Sequence, residues 1–165
     1  MDLSKLTPAD AAVALRGLER RYRGLFAGLG DDEAPDDVAR RQVNGWSAID
    51  HVVAAARALA AADRALAAVL TTDRPQVAAE DAGAAPRPHP GAPTGTVHER
   101  LSELGLEANA LADRIDGVRA DDWARTATVG DGEREVTALD IVRAAVDAGV
   151  THLNEAKEVL AAVVG

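Results

Sequence analysis

One helix-start signal occurs four times in this 165-residue chain, and each copy opens a run of apolar residues spaced three and four apart. The signal is a capping box. A Ser or Thr hydroxyl accepts from the backbone N–H three residues on, where an acidic side chain reaches back to the cap. Thr7-Pro8-Ala9-Asp10, Ser47-Ala48-Ile49-Asp50, Thr96-Val97-His98-Glu99 and Thr137-Ala138-Leu139-Asp140 are the four copies. In the first, Pro8 takes the opening helical position, where its missing N–H costs nothing.

The apolar stripes follow the caps. The first helix carries Leu15, Leu18, Tyr22, Leu25 and Leu29, with Gly28 and Gly30 ending it before the acidic run Asp31-Asp32-Glu33-Ala34-Pro35. The second spans about 47–70 and bears Ile49, Val52, Val53, Leu59, Leu66 and Val69 in an alanine background. Its wide apolar arc suits a helix covered by two neighbours. The third shows Val97, Leu101, Leu104, Ala108, Leu111 and Ile115 before Gly117; the fourth shows Val142, Val146, Gly149, Leu153, Ala156, Leu160 and Val163. A three-four alternation is the seam of helices packed nearly antiparallel, so the pattern predicts one four-helix-bundle domain over 1–165. Residues 71–95 hold Pro75, Pro86, Pro88, Pro90 and Pro93 with Gly83, Gly91 and Gly95, which forbids helix and predicts a long crossover or a mobile loop rather than a domain boundary. Residues 121–136, with Trp123 and the turn Gly130-Asp131-Gly132, read as a short irregular excursion.

Composition agrees with the all-α reading. Hydrophobic residues make up 47% of the chain while aromatics supply 2%, so packing rests on Leu, Val and Ile over close-approaching alanine. The formal charge of −9 opposes a polyanion, and no cluster of Lys or Arg offsets it, which argues against nucleic-acid binding. The absence of cysteine excludes disulfides, thiolate metal sites and cysteine nucleophiles. There is no Gly-x-Ser-x-Gly elbow and no phosphate-cradling loop. Met1-Asp2-Leu3-Ser4-Lys5 does not read as a signal peptide and no run is apolar enough for a membrane span, so a cytoplasmic address is expected. Lys5 and Lys157 are the only lysines; with heavy Ala, Val, Gly and Asp usage this suggests a high-GC, actinobacterial type of genome.

Asn44-Gly45-Trp46-Ser47-Ala48-Ile49-Asp50 resembles the segment leading into the second helix of DinB-like proteins. It is equally similar to the metal-binding domain of mycothiol-dependent maleylpyruvate isomerases. Asp121-Asp122-Trp123-Ala124-Arg125, the Gly132 turn, Thr137-Ala138-Leu139-Asp140-Ile141-Val142 and His152-Leu153-Asn154-Glu155 continue the likeness in the same order, over most of the chain. The resemblance implies a four-helix bundle, often a homodimer, holding a divalent metal such as zinc or nickel near one end. Its usual ligands are a His eight residues after the Trp, then a His or Glu on the fourth helix followed four residues later by His. Here the first position is Ala54 and the second Ala148; only His152 stands where a ligand is expected.

Two readings follow. In the first, the metal site is degenerate and the vacated positions leave a pocket formed by Trp46, Ala54, Trp123, Ala148 and His152, suited to a small apolar ligand, in a binding or interaction module without catalysis. His152 is then a hydrogen-bonded core histidine, His51 a partly exposed side chain beside its cap, and Asp50 a capping residue. In the second, His51, His152 and Glu155 form a rearranged metal site of a thiol-linked (mycothiol-type) transferase or isomerase. Trp46 and Trp123 read either as plugs at the bundle ends or as pocket walls, with Tyr22 and Phe26 joining the pocket or a dimer face. His89 and His98 read as ordinary loop and helix-start residues.

Overall fold

All four capping boxes form as the sequence predicts. Backbone N–H groups of Asp10, Asp50, Glu99 and Asp140 donate to the hydroxyls of Thr7, Ser47, Thr96 and Thr137, and the acidic side chains accept in return. The computed structural model describes residues 3–27, 29, 35–79, 94–130, 132 and 134–164. The expected stops at Gly28 and Gly30, the acidic run over 31–34, and His89 with the prolines of 80–93 lie outside the described residues.

The first predicted helix is two segments, α1 (Pro8–Arg16) and α2 (Leu18–Phe26), meeting at Gly17. Gly17 stays in right-handed helical space (φ −83°, ψ −10°), so the axis carries on and only the bond pattern is interrupted. A short α3 (Pro35–Ala39) and a hairpin of β1 (Gln42–Val43) with β2 (Trp46–Ser47) lead into α4 (Ala48–Thr71). Beyond it come β3 (Gln76–Val77), α5 (Val97–Asp116), a 3-10 turn (Ala120–Ala124), β4 (Thr126–Val129), β5 (Arg134–Thr137) and α6 (Ala138–Val164).

The stretch expected to be irregular is therefore partly a small sheet. β4 pairs antiparallel with β5 and parallel with β3. Its four residues alternate between half-buried and buried, the period of a strand, and Gly130 and Gly132 take the positive φ of the turn (+64° and +93°).

Contacts between helices fix their directions. α6 begins where α4 ends: Arg125 donates to the Val69 carbonyl and accepts, through its own carbonyl, from Ala138 N–H. His51 and His152 meet at the other end, so α4 and α6 are antiparallel. Arg16 bonds Asp113 and Asp116, while Glu19 lies against Gly105, so the first helix runs antiparallel to α5. The start of α5 sits beside the start of α4, since Asp36 accepts from Val97 N–H and Arg40 donates to the Gly95 carbonyl. Parallel α4 and α5 explain the long connection: 24 residues of helix climb about 36 Å, and the chain must return that distance before α5 starts.

The core is Leu, Val and Ile between alanines, with Tyr22, Leu15, Ile49, Leu59, Leu66, Leu104, Leu111 and Ile141 almost wholly buried. Gly149 lets α6 close on Leu18, whose Cδ2 would stand 2.8 Å from a Cβ there. Among the described residues no helix is long and apolar enough to cross a membrane.

Candidate metal centre

The site begins with a two-residue turn. Asn44 and Gly45 both take positive φ (53° and 84°), the left-handed pair that tight hairpins require and that Asn-Gly supplies at least cost. The hairpin delivers Trp46 immediately before the Ser47 cap, and the capping box fixes the first turn of α4. His51 is the fourth residue of that helix. From α6 come His152 and Glu155, three residues apart and so on one face.

These three side chains converge. His51 Nδ1 lies 3.2 Å from His152 Nδ1, His152 Nδ1 lies 2.9 Å from a Glu155 carboxylate oxygen, and that oxygen lies 3.2 Å from His51 Nδ1. Both imidazoles are 6% exposed, while the Glu155 side chain keeps 44% of its surface in solvent. The Trp46 ring stacks on His51 with centroids 4.8 Å apart and planes 16° from parallel, and lies 6.2 Å from His152.

Protons bridge only part of this triangle. Each Nδ1 carries at most one hydrogen. With a hydrogen on each Nδ1, both rings can donate to the shared Glu155 oxygen, which leaves the 3.2 Å edge between the two nitrogens unbridged; with one hydrogen, fewer edges are bridged. A single cation facing all three donors satisfies every edge. Metal–nitrogen and metal–oxygen bonds of about 2.0–2.1 Å at about 90–110° place donors about 2.8–3.4 Å apart, which matches the observed edges. Burial holds His51 below the usual imidazole pKa, against the opposing pull of Glu155, and so favours the neutral ring that ligation needs. Among the described residues, His51, His152 and Glu155 are a group able to hold a metal ion.

The triad opens into a cleft of about 360 Å³ completed by Val43, Asn44, Trp46, Glu158 and Val159. The tryptophan and both histidines are thus wall and floor of one concavity. Comparison with known proteins bears first on the frame that holds it. No protein-family model matches the chain, and no curated protein matches it. Among solved structures, YfiT from Bacillus subtilis superposes with a TM-score of 0.72 over 94% of this chain and 86% of its own, at 14% identity. The chain has the YfiT fold. YfiT is described as a probable metal-dependent hydrolase with an unusual four-helix bundle topology. At this identity the likeness to YfiT concerns the fold alone.

The five residues expected to share a pocket divide. Trp46 and His152 line the cleft. Ala54 is buried in α4 and Ala148 half-buried in α6, and neither is part of its lining. Trp123 packs against the core just before Arg125, which bonds the Val69 carbonyl near the end of α4, about 27 Å along that helix from His51. His51, expected to be partly exposed, is buried because the hairpin folds Trp46 over it. Tyr22 is in neither a pocket nor a surface: its hydroxyl donates to the Gly149 carbonyl at 3.1 Å with the ring fully buried. Burial, reinforced by the charge of Glu155, raises its phenol pKa. Phe26 is likewise core, and His98 is an exposed helix-start residue. Asp50 is spent on the cap, as expected, through the Ser47 hydroxyl and N–H. Sequence reasoning missed Val43, Asn44, Glu158 and Val159; the Asn-Gly turn and the i+3 step from Glu155 to Glu158 were the available signals.

Proposed function

We propose that the chain is a divalent-metal-dependent hydrolase whose ion is held by His51 and His152 through Nδ1 and by Glu155. The observation that carries the reading is the closed triangle of 2.9, 3.2 and 3.2 Å, whose three edges one cation spans and protons bridge only in part. Two imidazoles and one carboxylate suit zinc or a neighbouring late first-row metal, and three protein ligands are the count of catalytic rather than structural zinc sites. When bound, such an ion supplies Lewis acidity, polarising a carbonyl and acidifying water.

The chain's own residues do the rest. Nδ1 ligation leaves the proton of each neutral ring on Nε2. Trp46 backs His51 and shields the floor of the cleft from bulk solvent. The Ser47–Asp50 cap anchors the turn that carries His51. The name of YfiT supports hydrolysis as the reaction class.

Elemental analysis of untagged protein, purified without chelator, tests the metal: about one equivalent of zinc or nickel per chain is expected, and His152→Ala is expected to lose it. Stoichiometric metal in that variant would refute the site. The loaded protein is then assayed on small esters and amides with and without a low-molecular-weight thiol. Turnover without thiol supports hydrolysis; turnover only with thiol assigns the centre to thiol transfer instead.

A further inference from the structure

We propose that the cleft selects small molecules bearing an ammonium group, with Glu158 as the anionic contact and Trp46 as the flat wall. This deepens the metal-centre reading and rests on it.

The argument is one of charge around a defined space. Beyond the three donors, the lining is Val43, Asn44, Trp46, Glu158 and Val159, with no Lys or Arg among them. A site built for a phosphate or carboxylate presents Arg or Lys, because paired N–H donors are what hold those groups. Here the charged lining is acidic throughout. A bound divalent ion offsets Glu155, which leaves the exposed Glu158 as the remaining acidic side chain of the described lining. It follows Glu155 by three residues on α6, so the two carboxylates share one helix face. The chain's net charge of −9 adds a field of the same sign. Trp46, parallel to His51 at 4.8 Å and bordering the cleft, supplies the electron-rich ring on which a cation rests favourably. About 360 Å³ admits a small ligand of this kind.

The test uses three probes that share a metal-binding hydroxamate and differ in the tail: γ-aminobutyrohydroxamate (ammonium), butyrohydroxamate (neutral) and succinate monohydroxamate (carboxylate). Binding to the metal-loaded full chain is measured by calorimetry at low salt. The ammonium probe is expected to bind about tenfold more tightly than the carboxylate probe, with the neutral one between. The gap should shrink at about 0.15 M salt, where screening acts over about 8 Å. Glu158→Gln, an exposed position on α6, should narrow the gap between the ammonium and carboxylate probes several-fold. If the chain holds metal and the three probes bind equally, or the carboxylate probe binds best, charge selection is overturned and the metal centre stands. If the chain holds no metal and binds none of the probes, the metal reading falls and takes this one with it.

Discussion

Glu155→Gln separates the metal from the fold, because the side chain is nearly isosteric and 44% exposed. Without metal the substitution removes a charge that faces two buried imidazoles at 2.9 and 3.2 Å, a partly solvated pairing worth at most about 1 kcal/mol. The metal-free melting temperature should therefore move by no more than about 2–4 °C. With metal the contrast is large. An ion at a hundred times its Kd stabilises the native chain by about 2.7 kcal/mol, which raises Tm by about 5–11 °C in a protein of this size. A neutral amide replaces the one anionic ligand. Outer partners of a metal site cost about 10–100-fold in affinity when lost, so a direct ligand should cost about 100-fold at least. At the same metal concentration the variant then gains about 0.4 kcal/mol, or roughly 1–2 °C. Thermal melts with and without a fixed concentration of zinc read this directly. If the variant keeps the full metal-induced rise, Glu155 is not a ligand and the argument from the triangle of donors fails.

Two further outcomes follow from geometry around the bundle. Burial alone would raise the Asp140 pKa, but hydrogen bonds from the Thr137 N–H and hydroxyl, with Arg143 nearby, outweigh it and hold the carboxyl below its ordinary value. Its stabilising effect is complete above the unfolded-state pKa of about 3.9 and is lost as pH falls through the lower folded value. Asp140→Asn should thus lower the urea midpoint at pH 6 by the equivalent of about 1 kcal/mol, and flatten its fall below about pH 4; an unchanged acid limb would remove Asp140 from that account. Gly45→Ala places a Cβ in open space at φ +84°, so its cost is conformational, about 1–2 kcal/mol. Because the turn holds Trp46 over His51, metal affinity should fall several-fold as well; lost stability with unaltered affinity would show that the hairpin does not position the ligand.

The bundle was legible because its signals are local. A capping box is settled within four residues, and Ser47–Asp50 or Thr137–Asp140 form it whatever lies across the core. Stripes such as Leu101, Leu104, Ala108 and Leu111 bury as the period demands. The proline content of 71–95 argued for a long non-helical connection, and parallel α4 and α5 supply the reason for its length. The site was harder because its members are not neighbours in sequence. His51 and His152 are 101 residues apart, and their meeting depends on the antiparallel pairing of α4 with α6. The burial of His51 depends on a turn whose consequence, the stacking of Trp46, is tertiary. Trp123 shows the complementary case: its type fits a pocket wall or an end plug alike, and only its place in the fold, near the start of α6, sets it apart from the cleft.

The vacant positions 54 and 148 are consistent with a ligand set in this chain once helix direction is considered. Relative to the spacing that the DinB-like resemblance implies, the α4 ligand stands three residues earlier, at His51. The α6 pair stands three to four residues later, at His152 and Glu155. On parallel helices such displacements would pull the ligands apart by about 9–10 Å. On antiparallel helices both move the donors about one turn toward the same end of the bundle, and the register between them survives. That end carries the Asn44-Gly45 turn, so the displaced donors lie in a cleft that Trp46, Val43 and Glu158 also line. Alanine at 54 and 148 is thus compatible with a three-donor centre lying one turn further out. Counting ligands at fixed spacings misses such a candidate, whereas following the two helices in space brings its three donors together.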